Sequence, residues 1–496
     1  MPRLVALFLL ATFLASPALA DFTTPGIGVN WTCDDLVTHS GGAVTGDGPE
    51  YRFHESVFIA LGDVLTVEEG SRLVFEDTTG DVRLEINGSL YATTSTFTSS
   101  AAQPGDWYGL VFKDTNPSSV FDVQGCVVEY GRYGVDVVYA DINLVDTTIR
   151  HSEEKAVDLT GAGGVVSGCV ITDNLNQTIY MTLGSSPLIE NCRLERNNLE
   201  NASPYPYINI GLQSVNSPTI RGCRIIGGAT KSGGMAVWNS CEGLIEGNFI
   251  EGCGYGILCY SVGANPTIRG NTIFSNTINS DTVNWGFGIA CNGVNQPVIE
   301  DNVIRHHWYG VAITGGAQPD LGGGGMSSGE NKLIDNGLGG EVYAIFNNTS
   351  NPISATMNWY GYDVTTLEQV EDCIWHQADD MSLGPVDYDP SNLEGVVSGM
   401  VNAPRPLELH GASPNPFNPS TRLAFTLGED QDVTIQIHDA RGRRVATLQA
   451  GHLAAGRQEI AWNGTGQHGE ALPSGLYLYR VLAGTEDAVG RMQLVR

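Results

Sequence analysis

A seven-residue phrase returns along this chain as SPLIENC (Ser186 to Cys192), SPTIRGC (Ser217 to Cys223), EGLIEGN (Glu242 to Asn248), NPTIRGN (Asn265 to Asn271) and QPVIEDN (Gln296 to Asn302). A weaker echo sets Cys126, Thr147, Cys169 and Asn331 in the place of the last letter, so successive anchors stand 21 to 31 residues apart. A fixed period in that range marks a solenoid, whose units cannot bury their apolar faces alone and must stack on their neighbours.

Between anchors the residues alternate apolar and polar with period two, as in TIRGNTI and YGVAIT, and the turns are rich in Gly, Asn, Ser and Pro. That is strand chemistry. Helical repeats would need longer stretches at period 3.6, and Gly at 62 of 496 residues would weaken them. The expected unit is three short strands per coil, giving an all-β parallel β-helix with about a dozen coils. Ile189, Ile220, Ile245, Ile268 and Ile299 should form one interior column, because a one-residue slip would expose every apolar member.

Two polar columns punctuate the coils. The anchor column reads Cys, Thr, Cys, Cys, Cys, then Asn at 248, 271, 302 and 331. Five residues on stand Gly131, Ser152, Asn174, Asn197, Gly228, Cys253, Asn276, His307 and Asn336. Gly and Asn enter left-handed backbone most readily, so this second column is expected to form the tight corners. Stacked Asn side chains can also hydrogen-bond along the coil axis.

On these phrases the chain resembles the right-handed parallel β-helix proteins of the pectate-lyase-like superfamily, over roughly Ser56 to Pro390. GDVLTVEEGSRLVF and PGDWYGLVF resemble that family's opening coils, and NWYGYD with GPVDYDP its closing segment. The organisation expected is a signal peptide at 1–20, a cap segment at 21–55, the β-helix at 56–395, a linker at 396–408 and a C-terminal sandwich at 409–496. Arg3, the apolar run Leu4 to Leu14, and Ala18-Leu19-Ala20 carry the signal-peptide reading. It implies an exported chain with no membrane span after cleavage.

After the linker, SPNPFNPSTRLAFTL, VTIQIHDARGRRVATL, GRQEIAWNG and LPSGLYLYRVLAG read as alternating strands of a small immunoglobulin-like sandwich with Trp462 in its core. Pro414-Asn415-Pro416, the Gly442 turn, Trp462 and the Gly475-x-Tyr477 strand resemble two families. One is the C-terminal sorting domains of the type IX secretion system, the other the immunoglobulin-like domain of flagellar hook-capping proteins. The first resemblance implies secretion machinery as a partner and display at the outer surface; the other reading is a module that tethers or caps.

Charge separates the two parts. The C-terminal segment carries 8 basic and 8 acidic residues, leaving 16 basic against 47 acidic on the mature remainder, a net of −31. Nucleic acid and other polyanions would be repelled by such a body. The acidity fits solubility of an elongated surface, and no Asp-rich calcium loop accompanies it. Ten cysteines in an exported chain raise the question of disulfides. Cys169, Cys192 and Cys223 fall in adjacent coils, where in-phase side chains stay wider apart than a disulfide prefers, so a stack of free thiols is expected. Cys33 and Cys373, in the caps, remain a candidate pair. No zinc set and no cofactor are read.

The superfamily resembled contains polysaccharide lyases and glycosidases, which need paired carboxylates or a base with cationic support. Candidates are Asp173, Asp379 and Asp380, together with Arg150-His151 and Arg305-His306-His307. The last two clusters lie six coils apart, about 29 Å, and cannot share one bond. A binding surface is the other class. Insertions after Arg196 and Ser275 fall at one corner and offer Tyr205, Tyr207 and Trp285, with Trp308 one coil beyond, as rings to stack on sugars. The favoured reading is an exported surface protein with a structural, adhesive or glycan-binding role toward extracellular polysaccharide; the alternative is a carbohydrate-active enzyme.

Overall fold

In a computed structural model, the structure describes residues 20–495 apart from 77–79, 114–118, 212–213, 338–342, 362–363, 394–406, 428–430, 440–442, 455, 468 and 484–485. The expected signal peptide and most of the expected linker therefore lie outside the described residues. By its internal contacts the chain divides into two units, Met1–Val396 and Val397–Arg496.

The first unit is a parallel β-solenoid of about 12 turns. Three long sheets of 14, 13 and 11 strands, here sheets I, II and III, form its walls. One coil shows the plan: Asp141–Val145 lies in sheet III, Thr148–Arg150 in sheet II and Lys155–Thr160 in sheet I, after which the chain returns to sheet III. The expected interior column is present: Ile189, Ile220, Ile245, Ile268 and Ile299 are successive register partners in sheet III, and all five are fully buried. Outside them, Glu190, Arg221, Glu246, Arg269 and Glu300 alternate in sign up the same strands. Arg221 pairs with Glu190 at 2.7 Å and Arg269 with Glu246 at 2.8 Å.

The corners differ from expectation in one respect. The left-handed residue is not the ladder residue but the one before it: His151, Asp173, Arg196, Ser275, His306 and Asp335 have φ between 49° and 60°. Glycine fills that slot ahead of several anchors, as at Gly247 and Gly270. The bend turns the following side chain inward, where it hydrogen-bonds along the axis. Asn248, Asn271, Asn302 and Asn331 each donate a side-chain hydrogen bond to the next, ending at Asn358, at 2.9 to 3.0 Å. The second column does the same through Asn174 and Asn197, then through Asn276, His307 and Asn336. At Gly228 there is no side chain to contribute, and the Tyr207 hydroxyl takes the Asn197 backbone N–H instead, at 3.2 Å.

The sheets reach back into the 21–55 segment. Phe22–Thr23 pairs with the strand at Val57 and Asn30–Trp31 with that at Val64, while helix Cys33–His39, opened by a Thr32–Asp35 capping box, closes the first coil with Cys33 and Leu36 buried. All ten cysteines are free and buried. Cys33 and Cys373 do not pair, since one sits in the opening helix and the other beside the last strand of sheet I. The Cys169, Cys192 and Cys223 thiols donate to carbonyls of the preceding coil, standing where asparagine stands later in the column.

The second unit packs a three-stranded sheet and a four-stranded sheet, both antiparallel, around one core. Trp462 lies at its centre, 5.6 Å from the Phe417 ring and 5.5 Å from that of Tyr477.

Candidate functional site

Among the described residues the inward side chains form one continuous buried core, so a ligand is sought on the outward faces. On sheet I the outward register column runs Phe58, Glu85, Val111, Asp136, Asp158, Tyr180, Asn209, Ala236, Leu258, Ala290, Ala312, Phe346 and Trp375. Its later half is a trough. Its floor runs Ala236, Leu258, Ala290 and Ala312; the three alanines are buried and Leu258 is half-buried, between edges that carry larger rings. Along the edge where the chain enters the sheet, Phe287, Tyr309 and Tyr343 follow one another at 5.5 Å, with Tyr309 and Tyr343 stacked 9° from parallel. Phe346 and Trp375 continue the aromatic surface, stacked at 6.3 Å. On the opposite edge Trp238 and Tyr260 are register partners with rings 4.9 Å apart. All seven of these rings are half-buried or exposed.

The earlier half of the same face carries charge. Asp136 and Asp158 are direct register partners on neighbouring strands, about 4.8 Å apart as in any ladder. Lys155 holds Asp158 Oδ2 at 2.6 Å, and its ammonium lies 4.5 Å from the Tyr180 ring centroid and 5.7 Å from that of Tyr133. Lys113 and Arg83 both pair with Glu85. Burial, then the neighbouring Asp158, pushes the Asp136 carboxyl up to about 6. Asp158 is also raised by burial, with Lys155 opposing.

The sequence-predicted site residues are not brought together. Tyr207 and Trp308 are buried, so neither offers a ring to a ligand. Tyr205 is half-buried, and Trp285 is half-buried against Tyr255, with rings 5.6 Å apart. The insertions instead consolidate themselves: Asn201 and Asn279 both bond to Thr230, and Lys231 reaches the Ala202 carbonyl, knitting three loops into a ledge at the corner leading into sheet I. Long loops need their own packing, and these rings supply it. Among the catalytic candidates, Asp173 is a corner residue held by two bonds from Arg196, which lowers its carboxyl below the usual range. Asp379 and Asp380 cap an exposed turn through the His376 and Ser382 backbone N–H groups.

Sequence reasoning passed over Asp136 and Asp158 because no phrase marks them. The available signal was a carboxylate in one slot of two successive apolar strands, YGVDVV and KAVDLT. Among the described residues no group of three His, Cys, Asp or Glu is placed to hold a metal ion. No described helix is long and apolar enough to cross a membrane, which leaves β-barrels unaddressed.

Residues 114–229 and 206–355 match the family model described as a right-handed beta helix region. The solenoid is a right-handed parallel β-helix. Residues 414–487 match the model of the FlgD Ig-like domain, so an immunoglobulin-like domain follows the β-helix. No curated protein matches the chain. Among solved structures it is similar to bacteriophage CBA120 tailspike protein 2, at 11% identity and a TM-score of 0.29, covering 90% of this chain and 72% of that one. Shorter stretches are similar to dimeric latent PorU of Porphyromonas gingivalis, at 24% identity over 20% of this chain and 10% of that one, with a TM-score of 0.17. PorZ, a type IX secretion component of the same organism, gives 22% identity over 18% and 11%, with a TM-score of 0.15. The chain spans about a tenth of the length of those two proteins. Likenesses of this degree carry no function to it.

Proposed function

We propose that this is an exported, surface-displayed β-helix protein that binds an extended glycan along the outward face of sheet I. The observation that supports this reading is the alanine-floored trough rimmed by Phe287, Tyr309, Tyr343, Trp238 and Tyr260. Rings recurring once per coil, at close to the length of one pyranose, suit stacking on successive sugars. A long trough open along its length suits a polymer better than a small molecule. The immunoglobulin-like domain serves export or tethering, following the resemblance of its Pro-Asn-Pro start and Trp462 core to sorting domains.

The competing reading is a glycosidase using Asp136 and Asp158, whose ladder spacing is near that of a retaining pair. It is the weaker one. Asp158 Oδ2 is held by Lys155, and its Oδ1 is shielded from solvent, so that carboxylate has no free oxygen directed at a sugar. The test is a glycan array probed with the purified chain, paired with a reducing-sugar assay on every glycan retained. Retention without new reducing ends supports binding; release of reducing ends replaces it with the enzyme reading; retention of nothing rejects both.

A further inference from the structure

We propose that the stretch of sheet I centred on Asp136 is a subsite for a primary ammonium group, and that the glycan of the groove carries free amino groups, as a de-N-acetylated hexosamine polymer does. This rests on the reading of the groove as a glycan site and names the class of glycan.

Asp136 is outward-facing and only 9% exposed, yet it has no hydrogen bond or ion pair among the described residues. The cations around it are committed elsewhere. Lys113 and Arg83 serve Glu85 at 2.9 and 3.1 Å, Lys155 serves Asp158 at 2.6 Å, and Arg132 lies between Asp81 and Glu153. Beside it, Asp158 Oδ1 is enclosed without a partner. A buried carboxylate lacking donors is costly, and a ligand that supplies a positive donor recovers that cost.

The surroundings specify the donor. Tyr108, just ahead of the Val111 strand, and Tyr133, at the start of the Asp136 strand, hold their rings 5.1 Å apart beside the carboxylate; Val111 is buried, and each ring already meets one cation, Arg83 at 5.5 Å from the Tyr108 centroid and Lys155 at 5.7 Å from that of Tyr133. Tyrosine rings with a carboxylate recognise ammonium through combined cation–π attraction and ion pairing. The molecule already contains such an arrangement, with the Lys155 ammonium lodged between Tyr133 and Tyr180 against Asp158. A sugar hydroxyl would satisfy one lone pair and leave the charge uncompensated. The acidic body, net −31 before the C-terminal segment, draws cationic polymers in at long range. The aromatic trough on the same sheet face argues for a polymer of sugars over a basic peptide.

Calorimetry on the full chain at about pH 6.5, where an amine and Asp136 can carry opposite charge, tests this with four probes. These are β-1,4-linked hexamers of glucosamine, N-acetylglucosamine and glucose, and hexalysine. The glucosamine hexamer should bind at least about tenfold tighter than either neutral hexamer, the scale of one charge-assisted hydrogen bond. Asp136→Asn should erase that preference and leave the neutral hexamers unchanged. Val111→Lys, which sets an ammonium in register with Asp136 while keeping the carboxylate, should erase it too. Equal binding of the three sugars, or a preference that survives both variants, overturns the ammonium subsite while the groove reading stands. Hexalysine binding as tightly as the glucosamine hexamer overturns the glycan assignment of this subsite. If no sugar binds the wild-type chain, the groove reading itself fails.

Discussion

Asn302 Oδ1 accepts two hydrogen bonds from Asn271 one coil away, from the side-chain Nδ2 at 2.9 Å and from the backbone N–H at 3.0 Å. One oxygen thus satisfies two buried donors, and Asn271 does the same for Asn248 at 3.0 and 2.9 Å. Asn271→Ala orphans the Asn248 backbone N–H, leaves Asn248 Nδ2 with only its bond to the Ile220 carbonyl, and removes one of the donors reaching Asn302, at about 1–3 kcal/mol for an unsatisfied group. Chemical denaturation should show a loss on that scale. A loss below about 0.5 kcal/mol would mean that the asparagines fill space and do not bind the coils together.

Ile268 and Arg269 are sequence neighbours on opposite sides of sheet III, one buried and the other exposed. Ile268→Asp should unfold the adjoining coils, since an unpaired buried carboxylate costs several kcal/mol on general grounds. Arg269→Ala removes one exposed ion pair with Glu246 and should cost at most about 1 kcal/mol. Comparable shifts in thermal midpoint would contradict the assigned alternation.

His307 is buried within the second ladder between Asn276 and Asn336, and desolvation lowers its pKa to about 3. An unfolded chain takes up that proton near 6.5, so the unfolded state binds more protons between the two values. The stability from neutral His307 is therefore present above about pH 6.5 and is lost as pH falls toward 3. Asp136 acts in the opposite sense: its folded value, raised to about 6, gives stability at low pH that disappears as pH rises through 6. Melting His307→Asn and Asp136→Asn variants from pH 4 to 7 separates the two. The first should gain on the wild type as pH falls, and the second should gain as pH rises. Parallel curves would contradict both assignments.

The buried half of the fold was legible because it repeats. The isoleucine column and the asparagine anchors each recur in one slot per coil, and a side chain with a single acceptable environment leaves a periodic trace. The corner assignment was off by one residue because, ahead of the second column, Gly and Asn are scarce in the slot that actually bends, which His151, Arg196 and His306 occupy in left-handed backbone. The groove on sheet I was not legible. Its outward residues tolerate any side chain that packs on a neighbour, so Asp158, Tyr180, Asn209 and Ala236 follow one another without a pattern. Tyr207 and Trp308 looked like exposed rings because the residues around them are polar, whereas both are buried.

If the C-terminal segment directs export, removing residues 409–496 should leave a folded β-helix, because solenoid coils depend on their neighbours. That truncated chain should remain in the periplasm while the full chain reaches the surface. Cell fractionation with a tag on the β-helix reports the outcome, and equal surface levels of both forms would show the domain to be a passive module.

Glycan binding along the aromatic trough of sheet I is the property on which the proposed function stands or falls. Its most direct measurement is the affinity of the full chain for its best array ligand after Tyr309→Ala and Trp375→Ala, with Tyr91→Ala on sheet III as the control. Each trough substitution should weaken binding by about 1 kcal/mol, roughly fivefold, in a chain still folded at the assay temperature, and Tyr91→Ala should have no effect on binding. Unchanged affinity in both trough variants, or an equal loss at Tyr91, would contradict the account.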